Sequence, residues 1–111
     1  MFLNWFDTKE VDEFADAIAA DLLVRFPPAE IEDPKRKGPA RLKKAHDAIF
    51  AQAESFARSK PLNMYKKARL GNRFKWALRE AGYPAEFADS LTYELTAFVT
   101  VKAGAHRKAG S

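Results

Sequence analysis

Apolar residues recur at helical spacing in four separate stretches of the chain. In the first, Val11, Phe14, Ala15, Ile18, Leu22 and Phe26 form one stripe, with Asp12, Asp16 and Asp21 lying off it. Asp7, followed three residues later by Glu10, predicts a capping box with aspartate in place of the usual Ser or Thr. Phe6 and Val11 have the spacing of a hydrophobic staple. Pro27-Pro28 ends this helix. A second helix is expected to open near Pro39 and to carry Leu42, Ala45, Ile49, Ala53 and Phe56, flanked by Phe50 and Ala57. Ser59-Lys60-Pro61 interrupts it. A third helix then runs to Gly82, a natural C′ residue, and a fourth starts at Pro84 with Phe87, Leu91, Leu95 and Phe98 on one face.

The pattern therefore predicts an all-α fold, a compact bundle of four helices over residues 8–26, 40–58, 62–81 and 84–102. Residues 27–39 hold three prolines after Phe26, counting Pro34, plus Pro39 and Gly38, and read as one long loop between helices one and two. The two short connections suggest antiparallel neighbours for helices two, three and four. A single domain spans residues 1–102, and the small, basic stretch 103–111 is expected to fray. One segment reads two ways. Leu91, Tyr93, Leu95, Ala97, Val99 and Val101 alternate with Thr92, Glu94, Thr96, Phe98 and Thr100, as a half-buried strand would. Helix is preferred, because no second strand exists to satisfy its backbone.

Composition supports a packed core: 47% of the 111 residues are apolar and 13% aromatic, beyond the range of disordered chains. No cysteine is present, which excludes disulfides and cysteine-ligated metal. Met1 to Phe6 is too short and lacks the basic start of a signal peptide, and no apolar run approaches the ~20 residues of a membrane span. A cytoplasmic protein with no membrane association is expected. Phe2, Leu3, Trp5 and Phe6 form an apolar cluster expected to fold back over the bundle end or, left exposed, to make a dimer or partner contact.

The net charge of +4 hides a strong asymmetry. Residues 1–34 hold nine acids against Lys9 and Arg25, a net of −7, whereas residues 35–79 hold fourteen bases against Asp47 and Glu54, a net of +12. Such a division points to an electrostatic partner, internal or external.

Helix three is where that charge meets aromatic residues. Leu70, Phe74, Ala77, Leu78 and Ala81 make its core side, while Tyr65, Arg69, Asn72, Arg73 and Trp76 share another face with Lys66 at its border. Arginines interleaved with aromatics suit a nucleic-acid surface, guanidinium on phosphate and ring under base. Lys35, Arg36, Lys37, Arg41, Lys43 and Lys44 could extend the footprint. The same residues also fit a structural role. Tyr65 and Trp76 would then bury against the acidic first helix, and Arg69 and Arg73 would pair with its carboxylates. A Lys-Arg-Lys run in a loop is, equally, a solvated stretch.

The remaining candidates carry little chemistry. His46 lies beside the apolar stripe of helix two and would ligate a metal only by converging in space with Glu54 or Glu94; a boundary histidine with a hydrogen-bonded ring is the simpler reading. His106 sits in the tail. Asp12 and Asp16 fit the polar face of an amphipathic helix better than a cation site. Ser55, Ser59, Ser90 and Ser111 lie in no nucleophile context, and the five glycines form no phosphate loop. Gly71, mid-helix at about 1 kcal/mol against Ala, calls for close helix approach or a kink. No catalytic set, cofactor site or metal site is predicted. The expected function is a small non-enzymatic binding module whose basic segment 35–79 meets an acidic partner, nucleic acid or protein. The alternative is a protein-interaction or homo-oligomeric module joined through acidic helix one and basic helix three.

Overall fold

A computed structural model describes residues 8–31, 37–59 and 62–110, with side chains at 8–31, 39–59 and 62–103. Among the described residues there is no strand. The helices are α1 (Lys9–Arg25), α2 (Lys37–Ser59), α3 (Met64–Glu80) and α4 (Ala85–Gly110), with a 3-10 turn at Pro28–Glu30. The predicted caps at Asp7 and Phe6, the N-terminal apolar cluster, and Lys35 and Arg36 lie outside the described residues. So do the side chains of Lys37 and His106.

Three boundaries differ from expectation. α2 opens at Lys37, three residues before the expected 40 and inside the expected loop, because Pro39 falls in its first turn, where a missing N–H costs nothing. α3 starts at Met64 because Asn63 caps it: its backbone is extended and its Oδ1 accepts from the Lys66 N–H at 2.7 Å. α4 runs to Gly110 and does not end near Lys102, since alanines at 103 and 105 favour helix and no proline stops it. The end of α3 follows the pattern. Gly82 has φ +106°, the Tyr83 N–H bonds the Leu78 carbonyl and the Gly82 N–H bonds that of Arg79. That is a Schellman motif, with Tyr83 and Leu78 both in the buried core.

Pairing follows from which residues meet. Asp12 meets Arg69, Asp16 meets Arg73, and the Phe26 carbonyl meets the Tyr83 hydroxyl, each pair 57 residues apart. A constant difference, not a constant sum, means that α1 and α3 run parallel. The same holds for α2 and α4, where His46–Glu94, Phe50–Phe98 and Glu54–Lys102 advance four residues together on both helices. Phe14 on Phe56 and Asp21 on Gln52 make α1 and α2 antiparallel.

The bundle is thus two antiparallel hairpins, α1–α2 and α3–α4, laid side by side with α3 along α1 and α4 along α2. This corrects part of the expected order. α3 and α4 are antiparallel neighbours, but α2 packs on α1 and α4 and lies diagonal to α3. The charges of α3 account for it: its arginines find their carboxylates on α1, not on α2. The core between the layers includes Ile18, Leu22, Ile49, Leu70, Phe74, Leu78, Leu95 and Val99, all fully buried.

Gly71 is explained by close approach. A Cβ there would lie 2.5 Å from Thr96 Cγ2 on α4, so only glycine lets the two helices come this near. α3 continues unbroken through it.

Candidate binding surface

The face of α3 predicted from sequence exists, and the structure divides its members between two uses. Arg69 and Arg73 are four residues apart, as are Asp12 and Asp16, so the parallel docking of α1 on α3 aligns both pairs at once. Arg69 Nε and one terminal nitrogen donate to the two oxygens of Asp12 at 2.8 and 3.1 Å. Arg73 does the same to Asp16 at 2.9 and 2.8 Å. Both are bidentate, the geometry that a guanidinium offers and an ammonium does not. Asp12 is the more enclosed carboxylate, and the hydrogen bonds from Arg69 hold it below the ordinary Asp range against the opposing effect of its burial.

Tyr65 and Trp76 do not bury against α1 as the structural reading expected. They stay 45% and 47% exposed. The Trp76 indole N–H donates to Asn72 Oδ1 at 3.2 Å, one turn earlier, which orients the ring. Two cations frame that ring: Arg79 at 5.0 Å and Lys75 at 5.6 Å from its centroid. Sequence reasoning named Trp76 but omitted both partners. The signal for Arg79 was available in its i+3 spacing from Trp76. Trp76 also lines a groove of about 590 Å³ between α1 and α3, together with Ala19, Ala20, Leu23 and Ala77 and the charged Asp16, Arg73 and Glu80.

The other candidates are scattered. Lys66 is half-buried at the start of α3 and, among the described residues, makes no ion pair; Lys44 is exposed and likewise unpaired. Arg41 pairs with Glu30 at 2.7 Å, and Lys43 with Asp47 at 3.0 Å on its own helix. Because α2 and α3 are diagonal, the bases of α2 do not adjoin the α3 face. They extend from the opposite corner of the bundle.

His46 does converge with Glu94, Nε2 to carboxylate at 3.6 Å, while its ring stacks on Phe50 at 4.0 Å. Among the described residues no three His, Asp or Glu side chains group as metal ligands would. No helix among them is long and apolar enough to cross a membrane. Compared with known proteins, the chain matches no family model, and no curated protein or solved structure is significantly similar to it.

Proposed function

We propose that this protein is a small, non-enzymatic, cytoplasmic binding module whose basic segment, residues 35–79, contacts an acidic partner, nucleic acid first among the candidates. One observation carries the reading: Trp76 is half-exposed, oriented by Asn72 and flanked by Lys75 and Arg79. An exposed indole with two cations at 5.0 and 5.6 Å from its ring centroid sets an aromatic stacking surface beside phosphate-binding charge. Burying it in the fold would have been the ordinary use of a tryptophan. The opening of α2 supports the same polarity, because no acid in its first turn offsets the positive end of the helix dipole.

The alternative, two copies joined through α1 and α3, would employ Asp12, Asp16, Arg69 and Arg73. Within one chain these groups already satisfy each other in bidentate pairs, which favours a foreign partner.

The test uses Lys75→Glu/Arg79→Glu and leaves Arg69 and Arg73 in place, since reversing those would break the α1–α3 ladder. Binding of a single-stranded oligonucleotide is measured by fluorescence anisotropy across a salt series. The expected results are an affinity that falls linearly on a log–log salt plot and a loss of about tenfold or more in the double variant at unchanged helicity. Equal binding by parent and variant would remove this surface as the site. Salt-independent binding, or none to any polyanion, would remove the acidic partner.

A further inference from the structure

The strand-like alternation of residues 91–101 resolves, on a helix, into two apolar stripes. Leu91, Leu95 and Val99, four apart, are buried in the core. Tyr93, Ala97 and Val101, also four apart, sit about 200° further round at 100° per residue, pointing away from the core. Tyr93 is 75% and Val101 66% exposed. The bundle needs only the first stripe.

Beside the second stripe lies a groove of about 640 Å³ between the parallel helices α2 and α4. Its floor is apolar: Phe50, Ala51, Ala97 and Phe98, with the small alanines keeping it open. Its rim is acidic, with Asp47, Glu54 and Glu94. This polarity is opposite to that of the chain as a whole, which carries +4.

We propose that this face of α2 and α4 is a docking site for a basic amphipathic helix of a partner protein. The chain itself displays the recognition at one end of the groove. Lys102 lays its ammonium 5.3 Å from the Phe98 ring centroid and 3.6 Å from Glu54, cation over aromatic and against a carboxylate that Arg58 also holds at 2.9 Å. At the other end, Asp47 and Glu94 border Tyr93 and, among the described residues, pair with exposed Lys43 and the His46 ring, surface pairs weak enough to exchange for a ligand cation. The eight-residue advance from Tyr93 to Val101 covers about 12 Å, so a ligand helix of about three turns spans the stripe, with its leucine-like positions on the floor and its lysines on the rim. Three rim carboxylates disfavour nucleic acid and anionic lipid at this face. It belongs to the α2–α4 layer, opposite Trp76, and so stands independently of the first reading.

The test titrates the full chain with a synthetic helix of about 14 residues, leucines on one face and lysines on the other, followed by calorimetry and amide-resolved NMR. A second peptide carries the same leucines with glutamates. The Leu/Lys peptide is expected to bind and to shift resonances of Phe50, Ala51, Ala97 and Phe98, and the Leu/Glu peptide at least about tenfold more weakly. Ala97→Arg, on an exposed position, and the uncharged Ala97→Trp should each abolish binding at unchanged helicity, while Lys75→Glu/Arg79→Glu binds like the parent. Absence of binding, equal binding of both peptides, or equal binding by the Ala97 variants overturns the proposal. So does concentration-dependent self-association that Ala97→Arg removes in a chain that ignores the peptide, because the occupant is then a second copy.

Discussion

Arg69 and Asp12 face each other through two hydrogen bonds across 57 residues of chain, and the same embrace recurs one turn later between Arg73 and Asp16. The repeat fixes the register of α1 on α3, because sliding α1 by one turn would leave one arginine without its carboxylate. The parallel direction shows in the same 57-residue offset recurring at Phe26 and Tyr83. The ladder uses two of the nine acids of residues 1–34 and two of the fourteen bases of residues 35–79 inside the molecule.

The first prediction concerns acid. Asp12 titrates below its ordinary 3.8 because Arg69 hydrogen-bonds the carboxylate. A carboxyl group whose folded pKa lies below its unfolded value contributes stability that is present above the unfolded pKa and fades as pH falls through the folded one. Denaturant unfolding of the parent should therefore lose this contribution below about pH 4. Asp12→Asn should be less stable at neutral pH and show a flatter acid limb. The charge swap Asp12→Arg/Arg69→Asp should recover part of what either single change loses. If the swap is as damaging as the two changes added together, the pair does not act as a unit.

Alkaline stability is controlled at the other end of the same helix pair. The buried Tyr83 hydroxyl donates to the Phe26 carbonyl, and burial pushes its pKa up to about 12. A raised folded pKa means that the contribution is intact below the unfolded value of 10.0 and is lost as pH climbs towards about 12. Tyr83→Phe leaves that carbonyl without its donor and should cost about 1–2 kcal/mol at neutral pH. It should also remove this part of the alkaline loss, since the phenols that remain, Tyr65 and Tyr93, are 45% and 75% exposed and not buried in the core. Unfolding of both proteins between pH 9 and pH 12, about the range of a perturbed tyrosine, reads both effects.

Gly71 gives a prediction whose sign depends on one methyl group. Gly71→Ala gains about 1 kcal/mol of helix propensity, but places a Cβ 2.5 Å from Thr96 Cγ2, and relieving such an overlap in a packed interface costs about 1–3 kcal/mol. Gly71→Ala alone should lower the melting temperature. Adding Thr96→Ser removes the clashing methyl and keeps the hydroxyl that bonds the Thr92 and Tyr93 carbonyls. The double variant should melt above the single one. If it does not, α3–α4 spacing is not what Gly71 provides.

These three sites mark how far the sequence was legible. The four helices follow from their apolar spacing, and Gly82 and the two prolines after Phe26 placed the ends of α3 and α1. Asn63 was an unread cap in plain view. The layer order was not legible, because it depends on Asp12 and Asp16 meeting Arg69 and Arg73, which spacing within each helix permits but does not require. The α3 face was found as a group and its division was not. Whether Trp76 is covered depends on how closely α1 approaches, and small Ala20 and Ala77 leave it in solvent beside Lys75 and Arg79.

The two stripes of α4 should separate cleanly by mutation. Leu95 is fully buried, so Leu95→Ala should destabilise by about 2–5 kcal/mol through lost transfer energy and a residual cavity. Val101 is 66% exposed, and Val101→Ala should stay within about 0.5 kcal/mol of the parent. A period of two would put Leu95 and Val101 on one face, and only the helical period separates them. A large loss at Val101, measured by chemical denaturation, would mean that the outer stripe is core after all and would deprive the α2–α4 groove of its free apolar edge. A small loss at Val101 together with a large one at Leu95 leaves Tyr93, Ala97 and Val101 as apolar surface that the fold maintains without using.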